Sequence, residues 1–212
     1  MSPARGRLIA LEGIDGCGKS TQARILVSYL GAVGTFEPGA TTLGSALRAL
    51  LLDPGEVQVS VRAEALLLAA DRAQHVAQVI EPALAAGRWV VTDRYAASTL
   101  AYQGYGRGLD RDQLESLVAW ATCGLRPDLT VLLDLPVAVA AARRHGGRPD
   151  RMESEAGDFH HRVADGFRTL AAAAADPWLV VDASGSVDAV AGSIRAAVDA
   201  LVGSDGDGSG AR

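Results

Sequence analysis

The sequence GIDGCGKS, at residues 13–20, contains residue types that could bind the phosphates of a nucleoside triphosphate. Its glycines allow backbone N–H groups to turn inward around a phosphate without interference from a Cβ atom. Lys19 supplies a mobile positive charge for the β- and γ-phosphates, and the hydroxyl group of Ser20 is a ligand for Mg²⁺. A short apolar run ends just before this segment and a helical pattern follows it, which is the context in which the P-loop pattern binds nucleotides.

The P-loop pattern predicts nucleotide binding but does not distinguish a kinase from a GTPase or an ATPase. The residues expected to contact the nucleotide are Gly13, Ile14, Asp15, Gly16, Cys17, Gly18, Lys19, Ser20 and Thr21.

An acid and a guanidinium group, Asp93 and Arg94, follow the apolar run at residues 89–92. Asp93 could hold Mg²⁺ through water or accept a proton, and Arg94 could bind a phosphate in a bidentate manner. A simple surface ion pair after a strand is the alternative interpretation.

Four arginines surround the helix-breaking sequence GGRP at residues 146–149. They are Arg143, Arg144, Arg148 and Arg151. A basic segment between two helices is what a closing lid requires, because it brings positive charge to a transferring phosphoryl group and excludes water. The alternative is a solvated basic loop, but the P-loop provides a phosphate for these arginines to reach.

Short apolar runs alternate with helical patterns along the chain, which predicts a parallel sheet covered by helices on both faces. The predicted strands are 8–11, 33–36, 89–92, 129–133 and 179–181. The predicted helices are 19–30, 43–52, 62–86, 110–122, 158–175 and 187–202. The pattern is that of a three-layer α/β P-loop NTPase fold with an arginine-bearing lid at about 143–156. We expect one domain at residues 1–203 and a disordered tail at 204–212, which is rich in Gly, Ser and Asp.

Composition excludes several classes of protein. The formal net charge of −5 over 212 residues argues against a protein that binds duplex nucleic acid. Two cysteines, Cys17 and Cys123, do not make a disulfide framework, and neither a signal peptide nor a run of about 18 apolar residues is present. We therefore expect a soluble cytoplasmic protein that binds neither nucleic acid nor a membrane.

Several motifs in order make the chain resemble the thymidylate kinase family from about Arg7 to Val202. The matching segments are EGIDG at 12–16, GKST at 18–21, EPG at 37–39, DR at 71–72, DRY at 93–95, STLAYQG at 98–104, GRG at 106–108, RPDL at 126–129, LLDLP at 132–136 and DRME at 150–153. The resemblance implies that ATP·Mg²⁺ donates its γ-phosphoryl group directly to dTMP, giving dTDP and ADP. Because the acceptor phosphate is already anionic, catalysis would consist of positioning and charge neutralisation.

The resemblance also implies roles for individual residues. Asp15 would lie near the acceptor sugar and the metal, Arg72 would hydrogen bond to the thymine edge, and Arg94 would hold the acceptor phosphate. Tyr102 would pack under the sugar and disfavour a 2′-hydroxyl group. The remaining acceptor-site residues would be Phe36, Glu37, Leu68, Ser98, Thr99 and Gln103. On the donor side, Ser20 and Asp93 would hold the metal, Arg144 would contact ATP, Ala183 and Gly185 would border adenine, and Lys19, Arg148 and Arg151 would neutralise the transferring phosphoryl group.

Two positions depart from the family pattern. Leu68 stands where the family usually has a phenylalanine stacked on thymine, and Phe36 stands where an arginine usually precedes Glu-Pro-Gly. These changes leave open a kinase for another nucleoside monophosphate or for a nucleoside. A nucleotide-dependent ATPase or switch protein is a more distant alternative. The helices 62–86 and 110–122 have more apolar surface than one face of the sheet needs. Because similar proteins dimerise through such helices, the resemblance implies a symmetric homodimer.

Overall fold

The computed structural model describes residues 5–52, 58–143, 151–152, 154–155 and 157–203. Its strands are β1 (Leu8–Glu12), β2 (Val33–Phe36), β3 (Val90–Asp93), β4 (Leu129–Asp134) and β5 (Trp178–Asp182). They form one parallel sheet in the order β2-β3-β1-β4-β5. This confirms the predicted α/β fold with five parallel strands.

The helices that surround the sheet are α1 (Lys19–Leu30), α2 (Thr42–Leu52), α3 (Val61–His75), α4 (Glu81–Ala85), α5 (Ala96–Thr99), α6 (Arg111–Ala121), α7 (Val137–Arg143), α8 (Gly157–Ala173) and α9 (Val187–Gly203). Glycines in left-handed conformations bound the first helix, with φ 102° at Gly18 before it and φ 60° at Gly31 after it. At α6 the side chain of Asp110 accepts a hydrogen bond from the backbone N–H of Gln113 (2.9 Å) and so caps the N-terminus of the helix.

The two faces of the sheet pack against different sets of helices. Leu8 and Ala10 of β1 pack with Ile80 and Leu84 on one face. The alternate side chains of β1, Ile9 and Leu11, belong to a larger cluster on the other face, which contains Phe159, Val163 and Phe167 from α8. Because both faces are covered, β1 is buried along its whole length, and its residues are apolar from Leu8 to Leu11.

The helix predicted at 62–86 is wrong as a single α-helix. It is α-helical in α3, π-helical at Val76–Ile80 and α-helical again in α4. Pro82 lies at the start of α4. Because proline has no N–H and its ring crowds the carbonyl group four residues earlier, it interrupts the regular hydrogen-bond ladder.

Residues 96–106, for which no element was predicted, form α5 and the π-helical segment Leu100–Gly106. The conformation of this segment depends on its packing against α8 more than on local helix propensity. A Cβ atom at Gly106 would lie 2.6 Å from the ring of Phe159, and one at Gly166 would lie 2.6 Å from the ring of Tyr105. The two glycines allow the segment to pack closely on α8.

Sheet register brings the candidate residues to one edge. Leu11 of β1 pairs with Asp93 of β3, so the residues after both strands leave the sheet side by side. Ligands in open α/β sheets bind beyond these carboxyl ends. Within the described parts of the chain, none of the helices is long and apolar enough to cross a bilayer.

The lid and the tail lie largely outside the described residues. Of the predicted lid, the structure describes Arg143, Arg151, Met152 and the pair 154–155. Arg144, Arg148 and the predicted tail at 204–212 fall outside the described ranges.

Candidate active site

The segment between β1 and α1 has the backbone conformation that its glycines predict. Gly13, Gly16 and Gly18 have φ values of 139°, 88° and 102°. Residues that carry a Cβ atom rarely adopt such positive φ angles. A Cβ atom at Gly13 would lie 2.7 Å from the carbonyl oxygen of Leu133. The loop therefore holds its N–H groups at the N-terminus of α1, where the helix dipole also favours an anion.

Lys19 and Ser20 begin α1 at the base of this loop. Lys19 is buried, and its Nζ donates a hydrogen bond to the carbonyl oxygen of Ile14 (2.9 Å). The hydroxyl group of Ser20 donates to Asp93 Oδ2 (2.5 Å). The two predicted metal ligands are thus neighbours across the ends of β1 and β3.

Arg94 lies at the centre of the site and has an unusual backbone conformation, with φ 75°. Its Nη2 pairs with Asp15 and donates to Tyr102 Oη (3.1 Å). Its Nη1 donates to Ser98 Oγ (3.0 Å) and to the carbonyl oxygen of Gly13 (3.2 Å). The guanidinium group is thereby fixed against the P-loop.

The charges around Asp15 set its protonation state. Burial by itself raises the pKa of the Asp15 carboxyl group, but the charges of Arg94 and Lys19 and hydrogen bonds from Tyr102 and Arg94 outweigh it. The resulting pKa lies well below the usual range for aspartate. Asp15 therefore stays ionised and accepts hydrogen bonds at neutral pH.

Glu12 supports the segment that carries Arg94. Its buried carboxyl group accepts hydrogen bonds from Tyr95 N (2.9 Å), Ser98 N (3.2 Å) and Ser98 Oγ (2.6 Å). Burial raises the pKa of Glu12 to about 7, although these hydrogen bonds and the charge of Arg94 act in the opposite direction. Glu12 thus links the end of β1 to the turn after β3.

A cavity of about 120 Å³ opens beside Arg94, and we call it the acceptor pocket. The predicted acceptor residues that line it are Asp15, Glu37, Leu68, Arg72, Arg94, Ser98, Thr99, Tyr102 and Gln103. Leu68 is half-buried on its wall, so the pocket has an aliphatic surface where the family pattern has an aromatic ring.

Arg72 is held rigidly in the wall of the acceptor pocket. Its Nε donates to Glu37 Oε2 (2.8 Å), its Nη1 to Thr99 Oγ1 (2.8 Å) and its Nη2 to the carbonyl oxygen of Tyr95 (2.9 Å). The other oxygen of Glu37 lies 2.8 Å from Nδ1 of the buried His75. A guanidinium group has five N–H bonds, so Arg72 retains donors for a ligand.

Arg151, a predicted lid arginine, lies at the acceptor pocket rather than over the P-loop. Its Nε donates to the carbonyl oxygen of Leu51 (2.8 Å), and its Nη2 lies 2.8 Å from Glu64 Oε2. Arg143 lies on the donor side instead, where its Nη1 donates to the carbonyl oxygen of Ala183 (2.9 Å). This contact places the loop that contains Ala183 and Gly185 next to the cleft over the P-loop, which Arg143 also lines.

Phe36 lines the cleft over the P-loop and not the acceptor pocket, and it is 45% exposed. An arginine is nevertheless present on this wall, because Arg48 of α2 lies over the ring of Phe36 at 6.0 Å. Arg48 also donates from Nη1 to the carbonyl oxygen of Pro38 (2.8 Å). Arg48 was not predicted as a site residue, although it lies nearly two turns into the helix that follows Glu-Pro-Gly.

The cleft over the P-loop and the acceptor pocket meet. The residues that line both are Asp15, Glu37, Arg48 and Arg94. Two anionic ligands bound in these cavities would face one another at a junction with two guanidinium groups, which is the arrangement that phosphoryl transfer between two phosphates requires.

Comparisons with known proteins agree with this geometry. A sequence profile of the thymidylate kinase family matches residues 11–194. A thymidylate kinase of Synechococcus sp. (strain CC9902) is 55% identical over 193 residues, which cover 86% of this chain and 91% of the relative. A thymidylate kinase of Chromobacterium violaceum is 53% identical over 186 residues, with 85% and 87% covered. The crystal structure of thymidylate kinase from Ehrlichia chaffeensis superposes with a TM-score of 0.75 at 29% identity, covering 92% of this chain and 99% of that one.

Proposed function

The chain belongs to the thymidylate kinase family and transfers the γ-phosphoryl group of ATP to dTMP, and we propose how its residues divide this task. The observation that supports the proposal most directly is the junction of the two cavities at Asp15 and Arg94. ATP occupies the cleft over the P-loop and dTMP occupies the acceptor pocket. Their phosphates meet at this junction.

On the donor side, the backbone N–H groups of residues 13–18 surround the β-phosphate, and Lys19 moves from the carbonyl oxygen of Ile14 to the β- and γ-phosphates. The loop at Ala183 and Gly185 borders the adenine. Arg143, whose guanidinium group contacts this loop, lines the same cleft as Lys19.

Mg²⁺ accompanies ATP in this proposal. The hydroxyl group of Ser20 and the carboxylate of Asp93, 2.5 Å apart, are hard oxygen ligands of the kind that Mg²⁺ prefers. When bound, the ion neutralises phosphate charge. The protein residues would hold it directly or through water, since Mg²⁺ in kinases takes most of its ligands from phosphates and water.

On the acceptor side, Arg94 and Arg48 hold the phosphate of dTMP, and Tyr102 packs under the deoxyribose. Arg72 donates to the base, and Leu68, Ser98, Thr99 and Gln103 form the walls around it. No general base is required, because an anionic phosphate oxygen attacks the γ-phosphorus in line. Asp15 remains ionised and holds Arg94 and Tyr102 in position.

Charge that develops on the transferring phosphoryl group is neutralised by Lys19, Arg94 and Arg148. Arg148 and Arg144 lie outside the described residues, so their parts rest on the sequence alone. A direct part for Arg151 would require it to leave Glu64 and Leu51, which hold it at the acceptor pocket.

We further propose that the enzyme is a cytoplasmic homodimer whose interface is formed by α3 and α6. Leu66 and Trp120, on these two helices, are 54% and 82% exposed, and contact with a partner subunit would remove both apolar side chains from water. Cys17 and Cys123 are both free thiols, which fits a reducing compartment.

Coupled measurement of ADP release with dTMP, dUMP, UMP and dCMP tests the acceptor assignment. We expect strong turnover with dTMP, weaker turnover with dUMP and almost none with UMP. Equal turnover of dUMP and UMP would contradict the role of Tyr102 under the sugar. An equal rate without any acceptor would favour an ATPase instead.

A further inference from the structure

Glu64 of α3 is a buried carboxylate on the wall of the acceptor pocket, only 1% exposed. It binds three side chains from the pocket wall. Gln103 Nε2 donates to its Oε1 (2.8 Å), Arg107 donates from Nε and Nη2 (both 3.2 Å), and Arg151 Nη2 lies 2.8 Å from Oε2. Two guanidinium groups compensate its charge, which makes a buried carboxylate tolerable here.

This arrangement determines which way the amide of Gln103 points. A carboxylate only accepts hydrogen bonds, so Gln103 must present its NH₂ group to Glu64. Its carbonyl oxygen Oε1 is consequently left over. That oxygen is buried and has no hydrogen-bond partner among the described residues, although Gln103 lines the acceptor pocket. A buried acceptor of this kind is costly unless a ligand supplies a donor.

We propose that Glu64 is a positioning residue that selects the acceptor base through the orientation of Gln103. With Oε1 turned to the ligand, Gln103 accepts a hydrogen bond from a pyrimidine that carries N3–H, which thymine and uracil do. Cytosine presents an unprotonated N3, an acceptor, and would face Oε1 without a proton between them. The inference rests on the proposed function and specifies its base selection.

Glu64→Gln is the variant that tests this inference. The carbonyl oxygen of the new amide would turn to Arg107 and Arg151, and its NH₂ group would face Gln103. The amide of Gln103 would then reverse and present N–H to the ligand. We expect the ratio of kcat/KM for dTMP to that for dCMP to fall at least about tenfold, while KM for ATP is unchanged.

Glu155→Gln is the matched control. Glu155 also pairs with Arg107 but does not contact Gln103 in the described contacts, and it is 31% exposed. The ratio of kcat/KM for dTMP to that for dCMP should change by less than about threefold in this variant, because the hydrogen bond between Gln103 and Glu64 is kept. An equal fall of the ratio in both variants would overturn the inference, because loss of any carboxylate beside Arg107 would then suffice.

The outcomes separate this inference from the proposed function. If the unaltered enzyme prefers dTMP and Glu64→Gln keeps the same ratio, only the inference is overturned. If the unaltered enzyme does not phosphorylate dTMP, both are overturned. Should Glu64→Gln fail to fold by circular dichroism, Gln103→Met provides the second test, because it removes the amide and keeps Glu64 with both arginines. Loss of discrimination in that variant supports the inference, and an unchanged ratio overturns it.

Discussion

Tyr102 Oη donates a hydrogen bond to Asp15 Oδ2 over 2.9 Å, so the π-helical segment beside the acceptor pocket is joined directly to the P-loop. The same phenol oxygen accepts a hydrogen bond from Arg94 (3.1 Å), which pairs with Asp15. Three side chains from three parts of the sequence therefore form one closed triangle. A ligand in the cleft over the P-loop and a ligand in the acceptor pocket would therefore both contact this triangle.

Tyr102→Phe should lower kcat/KM for dTMP by about tenfold, since a hydrogen bond to a charged group contributes about 1.5–3 kcal/mol. The ring remains, so the preference for dUMP over UMP should persist. Tyr105→Phe is a suitable control on the same segment, because its hydroxyl group contacts only the exposed Arg111 among the described hydrogen bonds. Steady-state kinetics measure both variants, and equal losses in the two would contradict the role of the triangle.

Asp93→Asn should raise the Mg²⁺ concentration for half-maximal activity at least about tenfold, as loss of a metal-supporting carboxylate does elsewhere. Activity should return when Mg²⁺ is increased. Asp134→Asn, which removes a carboxylate at the end of β4, two strands away from β3 in the sheet, serves as the control. The Mg²⁺ requirement of each variant is measured as the initial rate at increasing Mg²⁺ concentration. A variant whose Mg²⁺ requirement stays normal would remove Asp93 from the metal site.

Glu12 should make folding less favourable as pH rises. Its pKa is raised from 4.5 to about 7 in the folded protein, so the folded state binds more protons than the unfolded state between these values. Stability that is fully present below pH 4.5 is therefore lost as pH rises to about 7. For a shift of this size the loss is on the order of 3 kcal/mol.

Denaturant unfolding across this pH range, with Glu12→Gln as the comparison, measures the effect. The difference in unfolding free energy between the two proteins should change with pH, because the amide does not titrate. Glu81→Gln provides the control, since Arg5 lowers the pKa of Glu81 and its contribution changes at more acidic pH. A difference for Glu12→Gln that is flat with pH would contradict the burial argument.

Leu68→Phe should restore an aromatic surface in the acceptor pocket and tighten dTMP binding by about fivefold, since aromatic stacking contributes about 0.5–1.5 kcal/mol. Calorimetric titration with dTMP measures the affinity. Leu43→Phe, at an exposed position of α2 that does not line the acceptor pocket, is the control. Weaker dTMP binding by Leu68→Phe would mean that the pocket has adapted its shape to leucine.

The sequence predicted the elements whose signals are local. The apolar run before Gly13 and the glycines of the P-loop each act within a few residues, and the strands and α1 lie close to their predicted positions. The π-helical segment Leu100–Gly106 was not predicted, because it depends on the absence of a Cβ atom at Gly106 and Gly166 in a contact between distant parts of the chain.

Side-chain partners in the site were predicted less well than its location. The P-loop and the turn after β3 follow from motif and topology, but the place of Arg48 over Phe36 and of Arg151 beside Glu64 depends on how α2 and the residues after the lid pack. Periodicity marks Glu64 only as one polar position on a helix. Its three partners become visible only when the folded chain brings residues 103, 107 and 151 together.

Transfer of a labelled γ-phosphoryl group in a single turnover tests whether the phosphates of ATP and dTMP meet at Asp15 and Arg94. Enzyme in excess over γ-labelled ATP is mixed with saturating dTMP and quenched at intervals, for the unaltered protein and for Arg94→Lys. The label should appear in dTDP without a burst of free phosphate. Arg94→Lys should slow the transfer at least about 100-fold without weakening ATP binding, because lysine cannot reproduce the bidentate guanidinium contacts. Release of labelled phosphate at the same rate with and without dTMP, or transfer by Arg94→Lys at the unaltered rate, would contradict the claim that the two phosphates meet at Asp15 and Arg94.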